Sequence, residues 1–252
     1  MELHLQTFLI VCPLVFLAGF VDAVAGGGGL ISLPAYFIAG VPIHNAIATN
    51  KLSSATGTAI STLRYLKHAV INWKIAIPTI LLTFLGSALG AKISLILDER
   101  ILKGIMIVVL PVVAFFVLKK NSFLQEGKEP RSVGQTAAIT MAAGLVIGCY
   151  DGIYGPGTGT FLLIILMGVA HMDMMSASGM TKIINLTSNI SALIAFLIHG
   201  QVYLVLGLTA SLFSIAGHYT GSGMVLKNGM KVIRPIIMVV LCLLFVKILT
   251  DF

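Results

Sequence analysis

Charge is what this sequence lacks most. Its 16 Lys+Arg and 9 Asp+Glu make up 10% of 252 residues, against about 25% in soluble domains. So few charges cannot cover a water-facing surface, which excludes a soluble globular domain and a disordered chain alike. The formal net charge of +7 reflects scarcity of acids, so no nucleic-acid partner is implied. Cysteine is also scarce: Cys12, Cys149 and Cys242 each sit in an apolar run with no CxxC spacing, which excludes a disulfide framework or a thiolate metal site. Neither a metal nor a cofactor is expected. HExxH, GxSxG and SxxK are missing, and no two carboxylates lie close in sequence within an apolar run. An enzyme would have to assemble its acids from distant helices, and no loop is long enough for a catalytic domain.

Apolar residues fill the space that charge leaves. They make up 58% of the chain, and mean hydropathy is +1.03. This composition gives an all-α polytopic membrane protein. Stretches of spanning length, about 20 residues, run from Leu5 to Ala25 and over 45–67, 74–97, 100–119, 132–151, 177–199, 202–226 and 232–250. The first resembles a signal peptide, with Ala23-Val24-Ala25 as its A-x-A site, but Glu2 and His4 precede it without Lys or Arg. It also has an internal counterpart, so it is read as a transmembrane helix. Two further runs, Leu30 to Gly40 and Phe161 to Ala170, are too short for an ordinary span. Each follows a glycine cluster, as discontinuous helices do.

The two halves correspond. An offset of 131 takes Lys51 to Lys182, Thr56 to Thr187, His68 to His199, and Gly86 and Gly90 to Gly217 and Gly221. Upstream, with small gaps, GFVDAVAGGGG (Gly19 to Gly29) matches GCYDGIYGPGTG (Gly148 to Gly159), so Asp22 and Asp151 share one position. The chain therefore divides into a transmembrane repeat over 1–120, a polar cytoplasmic linker over 121–131 and a second repeat over 132–252. Topology follows from Lys/Arg bias. If each short segment crosses, ten Lys/Arg fall on one side and four on the other; if the short segments are re-entrant, the split is seven against six. The biased count is preferred. It gives about five segments per half, ten passes, and repeats of inverted topology.

Broken helices in inverted repeats bring unwound ends together near the bilayer midplane. Gly26-Gly27-Gly28-Gly29 and Gly155-Pro156-Gly157-Thr158-Gly159 are poor helix formers. They expose backbone N–H groups at the start of the next helix, a site suited to an anion. Lys51 and Lys182 stand in polar stripes with Asn50, Ser54 and Thr181, Asn185, Asn189. A lysine near the membrane centre costs about 2.5–3.5 kcal/mol to insert and needs a partner or water. Substrate contact, an ion pair with Asp22 or Asp151, and snorkelling are the three readings. Asp22 and Asp151 could pair with the lysines, carry a coupling proton or hold the unwound backbone, the structural role being favoured. The GxxxG motifs at Gly86–Gly90 and Gly217–Gly221 are read as packing. The candidate substrate-binding set is Lys51, Lys182, Asn50, Thr181, Asn185, Gly27, Gly28, Gly157 and Thr158.

The opening GFVDAVAGGGGLISLPAYFIAGVPIHNAIATNK and its second copy GCYDGIYGPGTGTFLLIILMGVAHMDMMSASGMTK resemble the TauE/SafE family over essentially the whole chain. This family is also called the toluene sulfonate uptake permease family. The resemblance implies a transporter of small sulfur-containing or organic anions such as sulfite, sulfonates, sulfoacetate or thiosulfate, often moving outward. The glycine clusters, Asn50-Lys51 and Thr181-Lys182 are the positions onto which site roles carry over. The second block departs from the first with Met180-Thr181 where the first has Thr49-Asn50. The combined expectation is a secondary carrier in the cell inner (plasma) membrane, whose partners are the lipid bilayer and a small inorganic or organic anion. A homodimer is admitted as an assembly, and a passive anion channel is the alternative function.

Overall fold

The computed structural model describes residues 4–102, 104, 105, 108, 112, 129 and 131–228, and among them there is helix and no strand. Eight helices follow in order: α1 Leu5–Ala25, α2 Gly29–Ile38, α3 Ile43–Leu66, α4 Trp73–Ile96, α5 Val133–Ile153, α6 Thr158–Gly168, α7 Met174–Ile198 and α8 Leu204–Asn228. The expected spans at 232–250 and, beyond its first few residues, 100–119 lie outside the described residues. So do most of the linker and the count of ten passes.

The duplication reappears in the helix boundaries. Helices α3 and α7 begin 131 residues apart, and so do α4 and α8. The two runs read as too short to span are short helices of 10 and 11 residues. At 1.5 Å per residue each reaches about 15 Å, half of a hydrocarbon core.

Helices α1, α4, α5, α7 and α8 are long and apolar enough to cross a bilayer. This is a multi-pass membrane protein, and its surface fits that setting. Ile77, Leu81, Leu85 and Leu89 form an exposed stripe along α4, while Leu204, Leu208 and Leu212 do the same on α8. In water such stripes would aggregate; in lipid they are solvated.

Helix α3 is as long as α4 but falls short of spanning hydropathy, because Thr49, Asn50, Lys51, Ser53, Thr58, Ser61 and Thr62 are polar and buried. The expected apolar stretch at 45–67 is thus a helix with an inward polar face. Helix α7 shares that character through Thr181, Lys182, Asn185, Ser188 and Asn189.

These two polar helices lie together and antiparallel. Asn45, at the start of α3, donates to the Gln201 carbonyl just past the end of α7 at 2.8 Å. Gly179, near the start of α7, packs against Ala69 just past the end of α3. The apolar helices pack around them in equivalent pairs, α1 with α8 and α4 with α5. Each pair is closed by a GxxxG motif. Gly217 and Gly221 lie against the Phe16 and Phe20 carbonyls of α1, and Gly86 and Gly90 against the Leu145 and Cys149 carbonyls of α5. A methyl group at any of the four would strike backbone, so the motifs do the packing expected of them.

Candidate functional site

The two glycine clusters meet in the middle of the fold. Gly26 ends α1 in the left-handed conformation, φ 77°, and its carbonyl accepts the Thr160 N–H at 3.2 Å. A Cβ on Gly26 would collide with the backbone of Gly159, and a Cβ on Gly159 with Gly26. The unwound end of α1 and the first turn of α6 therefore touch through bare backbone, which only glycine at both positions permits. Helix α2 starts just beyond Gly26, at Gly29, and the contact on the other side falls in the first turn of α6, which starts at Thr158.

Lys51 and Lys182 stand at equivalent positions, each eight residues beyond the first residue of its helix, or about 12 Å along the axis from opposite ends of the antiparallel pair. Both are ion-paired across the two halves. Lys51 Nζ lies 2.8 Å from Asp151 Oδ2 and donates to Asn189 Oδ1 at 3.2 Å. Lys182 Nζ lies 3.1 Å from Asp22 Oδ2 and also donates to the Asp22 carbonyl. Of the readings open for the lysines, the ion pair is the arrangement found, and snorkelling is not. The aspartates also hold the unwound backbone: Thr158 Oγ1 donates to Asp151 Oδ1 at 2.8 Å, and the Gly28 N–H points at Asp22 Oδ1 at 3.4 Å.

Around these pairs lies a cavity of about 40 Å³, room for roughly three water-sized groups. Asn50, Lys51, Asn185, Gly28, Gly157, Thr158, Asp22 and Asp151 all line it. Lys182 and Thr181 border a second, smaller cavity of about 10 Å³ beside Asp22 and Tyr65. Gly27 borders neither; its carbonyl accepts the Leu30 N–H in the turn. One buried oxygen of the larger cavity, Asn50 Oδ1, has no hydrogen-bond partner among the described residues. Buried polar atoms left in this state are costly unless something binds there.

One residue of the site escaped sequence reasoning. His218, read as part of a packing motif, lines the cavity and places Nε2 3.2 Å from Asp22 Oδ2. It is 2% exposed, in the middle of an apolar helix. The signal was present, since an ionisable side chain inside a spanning segment is a site candidate by default; the flanking glycines drew attention away from it.

Electrostatically the four charged residues cancel. What remains for a ligand is a polar, partly open space with hydroxyl and amide groups, the starts of α2 and α6, and a histidine. Among the described residues no group of three or more His, Cys, Asp or Glu could hold a metal ion.

Comparison with known proteins agrees with this architecture. The family model described as "Sulfite exporter TauE/SafE" matches residues 11–248. The chain is 34% identical over 248 residues to "Probable membrane transporter protein ORF9" of Sinorhizobium sp, covering 98% of this chain and 94% of that one. It is 32% identical over 235 residues to "Probable membrane transporter protein YfcA" of Escherichia coli K12, covering 93% and 87%. A "Probable membrane transporter protein" of Haemophilus influenzae is 29% identical over 251 residues, covering 100% and 98%. No solved structure matches the chain.

Proposed function

The chain belongs to the TauE/SafE family of membrane transporters, and from that premise we propose that it is a secondary carrier of a small sulfur-containing or organic anion. Sulfite, sulfonate, sulfoacetate or thiosulfate is the class of cargo, moved outward across the cell inner membrane. The observation that carries this reading is the partly open polar cavity where the glycine-rich segments of both halves meet. Its volume suits a ligand of a few heavy atoms. The starts of two helices border it, and helix N-termini favour negative charge through exposed N–H groups and the helix dipole.

Alternating access is the mechanism this arrangement favours. The halves are proposed to be inverted repeats, and the antiparallel course of α3 and α7, which are equivalent by sequence, supports that reading. Rocking one half against the other would then expose the same cavity to either side.

The test is a thermal-shift screen of the detergent-purified protein against sulfite, sulfate, thiosulfate, sulfoacetate, taurine, a carboxylate and chloride. A ligand that binds only the folded state raises its apparent stability by mass action. The expected result is a selective shift for one or two oxyanions that weakens in Asn50→Ala and Asn185→Ala. These uncharged cavity residues are the better probes, because substituting a lysine would also strand its aspartate. No shift with any anion would overturn the reading.

A further inference from the structure

The two ion pairs occupy equivalent places but have different surroundings. Asp151 is held by the Thr158 hydroxyl, a group without titratable character. The first half has glycine, Gly29, where Thr158 stands at the first position of its helix, so Asp22 has no such partner. It has His218 instead. The residue equivalent to His218 in the first half is Ser87, and its hydroxyl turns away to the Ser188 carbonyl. One pair is therefore fixed, and the other contains a third ionisable group.

The two ring nitrogens of His218 face different acceptors. Its Nδ1 faces the Ser214 carbonyl at 3.0 Å, an acceptor only, so Nδ1 carries a hydrogen. The Ser214 hydroxyl, at 3.4 Å, is the more distant partner. With Nδ1 protonated, Nε2 meets Asp22 Oδ2 favourably only if a proton lies between them. The ring is set in a slot between Gly19 of α1 and Gly57 of α3, where a side chain would displace it. Charged groups reach it from every side: Asp22 of α1 directly, Lys182 of α7 through Asp22, and Lys51 of α3 and Asp151 of α5 across the cavity. Arg64 of α3 lies further along and binds the Tyr219 carbonyl.

Charge counting then links the proton to the cargo. Two lysines and two aspartates sum to zero, so a protonated His218 makes the buried cluster carry one net positive charge. An uncompensated charge in a buried cluster is expensive, and an anion in the adjoining cavity offsets it. We infer that His218 is a proton-binding site coupled to the cargo site, so that each anion is bound together with one proton. On release the proton leaves from Nε2 with the anion, and the cluster returns to neutrality. This inference rests on the anion-carrier reading.

The experiment uses the purified full chain with sulfate, methanesulfonate and sulfoacetate, anions of constant charge between pH 6 and 8. Binding is read by thermal shift, and proton uptake by a pH-sensitive dye in weakly buffered solution. The expected result is uptake of one proton per anion bound. The anion Kd should rise by up to about tenfold per pH unit once His218 loses its proton, because coupling between two ligands is reciprocal. In His218→Gln, uptake should vanish and binding should become weaker and independent of pH. Binding without uptake, or uptake that persists in His218→Gln, overturns this inference and leaves the carrier reading standing. No binding of any of the three overturns both. If His218→Gln does not fold, the wild-type measurement decides alone: a Kd flat from pH 6 to 8 overturns the coupling.

Discussion

Lys51 of the first half and Asp151 of the second lie 2.8 Å apart, with their side chains 3% and 4% exposed. Their sequence equivalents Lys182 and Asp22 form the reciprocal pair in the opposite sense. Each half thus supplies the cation for one pair and the anion for the other.

Breaking one of these pairs strands a buried charge. Lys51→Met should destabilise the protein by about 3–5 kcal/mol. The double variant Lys51→Met, Asp151→Asn should recover most of that loss, because no charge is then left unpaired. Thermal unfolding in detergent for both singles and the double variant gives the coupling directly. Additive losses would mean that the two side chains do not interact.

Gly90 and Gly134 are both helical glycines and should respond in opposite ways. A Cβ on Gly90 meets the Cys149 carbonyl, whereas a Cβ on Gly134 meets nothing within 4 Å. Gly90→Ala should therefore force α4 and α5 apart and lower Tm. Gly134→Ala should be neutral or stabilising by up to about 1 kcal/mol, the helix-propensity difference. Equal Tm changes would contradict the close α4–α5 contact.

Asp173 caps α7 by accepting from the Met175 and Ser176 N–H groups at 3.1 and 3.0 Å. Partial burial pushes its carboxyl upward, but the N–H groups of Ser176 and Met175 outweigh that and hold it below the usual carboxylate range. A depressed folded-state value means that this stabilisation is fully present above the unfolded value, about 3.9. It is lost as pH falls through the lower folded value. Asp173→Asn keeps the cap and removes the titration, so between pH 5 and 3 the wild type should lose more stability than the variant. Asp173→Ala should cost about 1 kcal/mol at neutral pH.

Val70 and Gln201 follow α3 and α7 and are 131 residues apart. Inverted repeats place them on opposite faces of the membrane. In a background lacking Cys12, Cys149 and Cys242, Val70→Cys and Gln201→Cys should be labelled by an impermeant maleimide from opposite sides. Labelling of both from one side would rule out the inverted arrangement.

Much of this fold was legible because the bilayer imposes one rule on every spanning segment. The stretch read from Leu5 to Ala25 is α1 residue for residue. The offset of 131 fixed by Lys51 and Lys182 also aligns the starts of four helices. Glycine clusters disclosed the breaks, since several adjacent glycines are poor helix formers. What stayed hidden was pairing in space. Asp22 and Lys182 are 160 positions apart, and nothing in either half states that each lysine seeks the aspartate of the other. His218 was hidden differently: Gly217 and Gly221 beside it carry a strong packing signal, which masked a polar residue that faces inward from the same helix.

The crossed ion pairs also constrain the order in which this protein is made. A nascent chain that has delivered only its first half holds Asp22 and Lys51 in the bilayer with both partners still unsynthesised. In the folded protein each half's buried charges are neutralised by the other half, so the pairing is complete only when both are in place. Assembly has to wait for α5 and α7, and the first-half helices must stay loosely held, or hydrated, until those arrive. The duplication that gave the chain its symmetry thereby made each copy dependent on the other during biogenesis.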